Sequence, residues 1–86
     1  MEQELGKVVK FFARPGVAAV KIASGSLKVG DQVHFKGHTT DFLQIIESMQ
    51  VGNAPVLEAG AGADVGIRTQ ERVRENDAMY KVVPDA

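Results

Sequence analysis

Few residues in this chain have types and spacing that suggest chemistry. His34 and His38 are its only histidines. On an alternating strand pattern His34 faces away from Val33 and Phe35, toward solvent. His38 stands in a turn with Thr39, Thr40 and Asp41. A metal centre needs three or four convergent ligands, and this turn offers His38 and Asp41. The same four residues are explained by side chains bonding the turn's own backbone. Asp31, Asp64 and Asp77 each stand just before a strand, beside or near Gly or Asn. General acid–base catalysis needs carboxyls converging on a cleft, whereas these positions suit carboxylates that fix turns. Ser24, Ser26 and Ser48 lack the glycine elbow that exposes a nucleophilic serine. No catalytic set, metal site or cofactor is expected. An independent enzyme stays as an alternative because a missing motif excludes little.

Charge offers a surface instead of a site. Through residue 40 there are six Lys or Arg (Lys7, Lys10, Arg14, Lys21, Lys28, Lys36) against three acids (Glu2, Glu4, Asp31). Paired strands would gather Lys7, Lys10 and Lys21 into a patch suited to phosphates. Exposed lysines also keep sheet edges soluble. Net charge is −1, which argues against nucleic-acid binding through bulk charge. The aromatics that would stack on bases, Phe11, Phe12, Phe35, Phe42 and Tyr80, are mostly needed for a core. Arg68, Arg72 and Arg74 form a smaller cluster offset by Glu71 and Glu75.

The elements that would position these groups read as strands. Eighty-six residues, 44% of them hydrophobic, make one domain over 1–86 with its core at about 5–83. There is no cysteine, hence no disulfide or thiolate metal site. The acidic N-terminus is unlike a signal peptide and no apolar run spans a membrane, so a cytoplasmic location is expected. Residues 1–4 read as frayed. Gly6–Ala13 reads as a strand whose adjacent Val8-Val9 and Phe11-Phe12 break the alternation, so that either both faces are covered or a bulge shifts the register. Arg14-Pro15-Gly16 is a turn, and Val17–Ala23 a strand with Ala18, Val20 and Ile22 inward. Gly25 and Gly30 supply turn backbone angles around Leu27, a plug for one end of the core, and Asp31 fixes the entry to Gln32–Lys36. Asp41–Gln50 has helical as well as strand spacing and reads as strand in this context. Ala54–Ala59, with Pro55 confining it to an edge or to a strand's start, Asp64–Thr69, with Gly66 where a backbone passes closely, and Asp77–Val83 complete the set. Gln70–Asn76 reads as a solvated loop, and Pro84 ends the last strand. Seven short strands between Gly, Pro and Asp turns predict an all-β sandwich or barrel.

The order of motifs resembles domain II of translational GTPases such as elongation factor Tu and initiation factor two. The matching residues are Gly6, Val8, Gly16-Val17-Ala18, Ser24–Asp31, Gly37, Glu58-Ala59-Gly60 and Val65-Gly66-Ile67. Small free-standing elongation factor-like proteins and the C-terminal domain of collagenase-like peptidases are more similar still. They share Gly6-Lys7-Val8, His38-Thr39-Thr40-Asp41-Phe42, Ser48-Met49-Gln50 and Arg72-Val73-Arg74. The chain departs from the pattern at Ala63, which separates Gly62 from Asp64, and at Asn76-Asp77, where Gly-Asp is usual; Asn76 tolerates the left-handed turn. The resemblance implies a single small closed Greek-key β-barrel of six or seven strands. It implies no GTP hydrolysis, because a GxxxxGK[S/T] phosphate loop is absent. It implies a non-catalytic binding module for protein biosynthesis that contacts tRNA or the ribosome through Lys7, Lys10, Lys21 and the His38–Asp41 turn. The peptidase resemblance implies an alternative, a protein-interaction or accessory module of a larger enzyme.

Overall fold

One long strand decides the layout. The computed structural model describes residues 1–14 and 16–83. Its strands are β1 (Glu2–Phe12), β2 (Val17–Ile22), β3 (Ser26–Lys28), β4 (Gln32–Lys36), β5 (Asp41–Ile45), β6 (Met49–Val51), β7 (Ala54–Val56), β8 (Glu58–Gly60), β9 (Asp64–Arg68) and β10 (Ala78–Val82). Eight form an antiparallel sheet in the order β5-β4-β10-β1-β2-β9-β6-β7, and β3 pairs with β8 in a second, small sheet. The expected turn at Arg14-Pro15-Gly16 and the stop at Pro84 rest partly on positions outside the described residues.

β1 holds both halves of the large sheet, with β10 on one edge and β2 on the other. Its register slips once against β10, between Glu4 and Gly6, and once against β2, between Val8 and Lys10. Each slip inserts one residue, Leu5 and then Val9, and such bulges bend and twist a strand. They explain why Leu5 and Val8 are both buried while Val9 faces solvent. The carbonyl of Leu5, freed from the regular ladder, accepts from the backbone of Ala23 (2.7 Å) and Ser24 (3.1 Å).

The all-β expectation holds, but the strands number ten among the described residues instead of six or seven. Ser26–Lys28 is a strand and not a connector, with Leu27 buried beneath it. The expected Ala54–Ala59 strand splits at exposed Leu57 into β7 and β8, which join different sheets. Asp41–Gln50 is strand for Asp41–Ile45 and again from Met49. Residues 2–4 are not frayed: Glu2, Gln3 and Glu4 pair with Val82, Lys81 and Tyr80. Their polar side chains face solvent while their backbone groups complete a ladder, and side-chain polarity gives no warning of that pairing.

The core follows the alternation of the strands. Ala18, Val20 and Ile22 of β2 face Val33, Phe35, Phe42, Ile67 and Met79, and Phe35 stacks on Phe42 with ring centroids 5.3 Å apart. The sheet order leaves β5 and β7 at its ends, and no ladder joins them among the described residues. The inner side of β5 is instead tied to the chain beyond β9 by one side chain. Buried Gln44 (5% exposed) donates from Nε2 to the Arg68 carbonyl (3.0 Å), and its Oε1 accepts from the Gln70 amide (2.9 Å). At the other end Gly52 (φ 58°) and Asn53 (φ 65°) form the two-residue turn from β6 to β7, and Pro55 sits on that terminal strand.

Two glycines on strands differ sharply in what they require. A Cβ on Gly6 would overlap the Lys21 carbonyl. One on Gly66 would meet only Val17 Cγ1 at 3.6 Å and the Gln50 carbonyl at 3.9 Å, both ordinary contacts. Gly6→Ala should therefore cost about 1–3 kcal/mol, whereas Gly66→Ala should be neutral or gain about 0.5–1 kcal/mol. Thermal unfolding of the two variants checks this, and equal loss at both positions would refute it. Gln44→Leu should cost about 1–3 kcal/mol by leaving the Gln70 amide and Arg68 carbonyl without their partner; urea denaturation reads that loss.

Candidate functional site

Two surface regions carry the polar chemistry of the molecule, and they lie apart. The first is on the outer side of β4 and β5. The short turn at 37–40, closed by the Gly37 amide on the Thr40 carbonyl (2.7 Å), sets Lys36 opposite Asp41 and His34 opposite Leu43. His34 thus lies diagonally from Asp41, and its Nε2 meets Asp41 Oδ1 at 2.5 Å. Its Nδ1 meets Glu2 Oε2 at 2.8 Å. One imidazole is clamped between two carboxylates drawn from β1 and β5, with the Tyr80 ring 6.3 Å away. The hydrogen bond to Asp41 is the main cause that raises the His34 pKa; partial burial opposes it, and Glu2 adds to it. The same bond lowers the Asp41 carboxyl. With both nitrogens engaged by carboxylates, His34 has no free nitrogen to accept a proton from a nucleophile.

The second region is the outer side of β1, β2 and β9. Lys7 and Lys21 stand opposite each other, and Lys10 lies one row along, opposite Ala19. The Lys10 ammonium sits 5.1 Å from the centroid of the Phe12 ring. Pairing with β9 places Asp64 beside Lys21, Gly66 beside Ala19 and Arg68 beside Val17. The three lysines singled out in the sequence do share one face. His38, Thr39, Thr40 and Asp41 are not part of it, because β4 and β10 lie between β5 and β1 in the sheet. Of that turn, His38 and Thr39 are exposed and Thr40 is buried.

The turn residues have local partners. Asp31 accepts from the Lys28 amide (2.9 Å) and from Lys81 Nζ (3.2 Å). Buried Asp77 accepts from the Arg74 amide (2.8 Å), next to Asn76 at φ 73°. Gly25 and Gly30 have φ of 74° and 99°. Among the described residues no group of three or more His, Cys, Asp or Glu side chains could hold a metal ion. Sequence reasoning missed the His34 clamp. The hairpin register between Lys36 and Asp41 could have signalled the Asp41 half. Glu2 gave no signal once its segment was read as frayed.

Together these features define a small antiparallel β module with a cationic face and a clamped histidine. Comparison places it among known proteins. The chain is homologous over 78 residues, 36% identical, to a segment of the collagenase of Porphyromonas gingivalis, and 35% identical over the same length to an uncharacterized protease of Methanocaldococcus jannaschii. The match covers 90% of this chain and about a fifth of each relative (22% and 19%). Its fold is that of the C-terminal domain of a Geobacillus thermoleovorans protein assigned to the U32 peptidases, with a TM-score of 0.86 at 21% identity, covering 94% of this chain and 93% of that one. No protein-family model matches the chain. The expected assignment to translation factors, with its elongation-factor, protein-biosynthesis and RNA-binding roles, is overturned by these relatives, which are proteases. Among the described residues no helix is long and apolar enough to cross a membrane.

The clamp makes a signed pH prediction. A raised imidazole pKa stabilises the fold fully below the ordinary value of about 6.5 and loses that contribution as pH rises through the higher folded-state value. The lowered Asp41 carboxyl contributes above the ordinary carboxylate range and loses it as pH falls through its own lower value. The melting temperature should therefore decline from mildly acid pH toward pH ~9, and His34→Gln should flatten that decline. NMR titration of the His34 ring protons should give a midpoint above the ordinary imidazole value; a midpoint below it would remove the clamp from solution.

Proposed function

We propose that the chain acts as a non-catalytic accessory module of a peptidase-type protein. Homology to a segment that makes up about a fifth of a collagenase carries this reading. The fold shared with the C-terminal domain of an assigned peptidase supports it. The engaged nitrogens of His34 support a role other than proton transfer. We further propose that the large sheet curls into a barrel whose seam runs between β5 and the chain beyond β9. The Gln44 bridge to Arg68 and Gln70 supports that closure, since its amide stands in for a ladder pair.

An accessory module should affect how a large substrate is held more than how a bond is broken. In the Porphyromonas gingivalis collagenase, deleting the matching segment should raise KM for a protein substrate about tenfold, equivalent to about 1.4 kcal/mol, and leave kcat on a short peptide unchanged. Replacing that segment with the present chain should restore KM. A deletion with full activity on protein substrates would overturn the reading, as would peptide hydrolysis by the isolated chain.

A further inference from the structure

We infer that the outer face of β1, β2 and β9 receives an extended peptide segment rich in acidic side chains. This rests on the accessory-module reading for its choice of a peptide and on the geometry of the face for everything else. Lys7, Lys10, Lys21 and Arg68 all point from this face, and none has an ion-pair partner among the described residues. Glu4, Asp64 and Glu75 are the acids beside them. Lys7 directly opposite Lys21 is a like-charge pair that disfavours the sheet. Neither lysine forms an ion pair among the described residues, which leaves both ammonium groups open to a partner's carboxylates.

The apolar and steric features lie on the same face. Val9, pushed outward by the bulge, and Phe12 are exposed at 54% and 44%. Two depressions of about 290 and 230 Å³ meet at Val17, Gln50 and Gly66. Phe12 walls one, and Arg68 lines the other. Each alone is smaller than the 300–1,000 Å³ typical of a small-molecule site, whereas joined they form a shallow trough suited to a chain in extended conformation. Gly66 floors it. Nothing inside the protein requires a glycine there, and glycine within a strand marks a place where another backbone can approach closely. Arg68 in the trough, Lys10 against Phe12 at its edge, and Lys7 and Lys21 farther along the same face complement a segment that alternates acidic with small or apolar residues. A nucleic acid fits less well. Phe12, the most exposed aromatic among the described residues, has Lys10 over its ring instead of an open stacking surface.

The test is fluorescence anisotropy of the full chain with a labelled dodecapeptide alternating Glu with Gly and Leu. Its Lys counterpart and an oligouridine of equal charge serve as competitors, and amide NMR shifts map the site. The acidic peptide should bind with shifts confined to β1, β2 and β9. Arg68→Glu should weaken binding about tenfold, 1.4 kcal/mol. Gly66→Val should abolish binding with the melting temperature and spectral dispersion kept. Equal binding of acidic and basic peptides, stronger competition by oligouridine, or full binding by Gly66→Val would each overturn the inference. If the chain rescues KM in the collagenase yet binds no acidic peptide, the accessory reading stands and this face is not the one it uses. Failure of the rescue with peptide binding intact would overturn the accessory reading alone.

Discussion

The close approach of Gly6 to the Lys21 carbonyl is the contact on which the rest of the sheet depends. β1 sits between β10, β4 and β5 on one side and β2, β9, β6 and β7 on the other. To serve both edges within eleven residues it must change direction, and the two slips at Leu5 and Val9 supply the change. At the first slip the backbone comes so close to β2 that a methyl group has no room. Leu5 then turns its side chain into the core and its carbonyl toward Ala23 and Ser24. The same bend carries Glu2 far enough across the sheet to reach His34 on β4. Packing at Leu5 and electrostatics at Glu2 follow from one steric allowance.

Much of this was legible from local pattern. The alternation in Val17–Ile22 and Gln32–Lys36 named the inward residues, because period two maps directly onto the two faces of a strand. The paired Val8-Val9 admitted a bulge, and Pro55 admitted a terminal strand. Non-local facts were not legible. A three-residue strand such as Ser26–Lys28 has too few positions to show a period, and its partner Glu58–Gly60 lies thirty residues on. Gln44 reads as the polar half of an alternating strand, yet it faces inward and bridges two backbone groups. The three lysines were legible as a shared face because their strands are adjacent in the chain. Arg68 and Gly66, which complete that face, come from a strand more than forty residues away from β2.

The translation-factor expectation failed for a different reason, whereas the resemblance to collagenase-like peptidases is supported. Motif order resembling translation-factor domains reflects turn residues and strand spacing, which many small β folds need for the same backbone geometry. The relatives found by sequence are proteases. Turn chemistry specifies a fold, and it leaves open what that fold is attached to.

The distribution of charge separates two parts of the outer face of the large sheet by kind. On the β4–β5 side, Glu2 and Asp41 are spent on His34, so the acids there are internally satisfied. At the end of the core, Asp31 takes Lys81, and Glu58 takes Lys28. On the β1–β2–β9 side Lys7, Lys10, Lys21 and Arg68 form no ion pair among the described residues, and two of them are set opposite each other. Surface ion pairs contribute little to stability, about 0–1 kcal/mol each, so pairing on one side and not on the other is not needed to hold the fold. What the asymmetry does change is the field outside the molecule. A sheet face with several cations outside any ion pair and an exposed aromatic attracts one sign of partner more than the other.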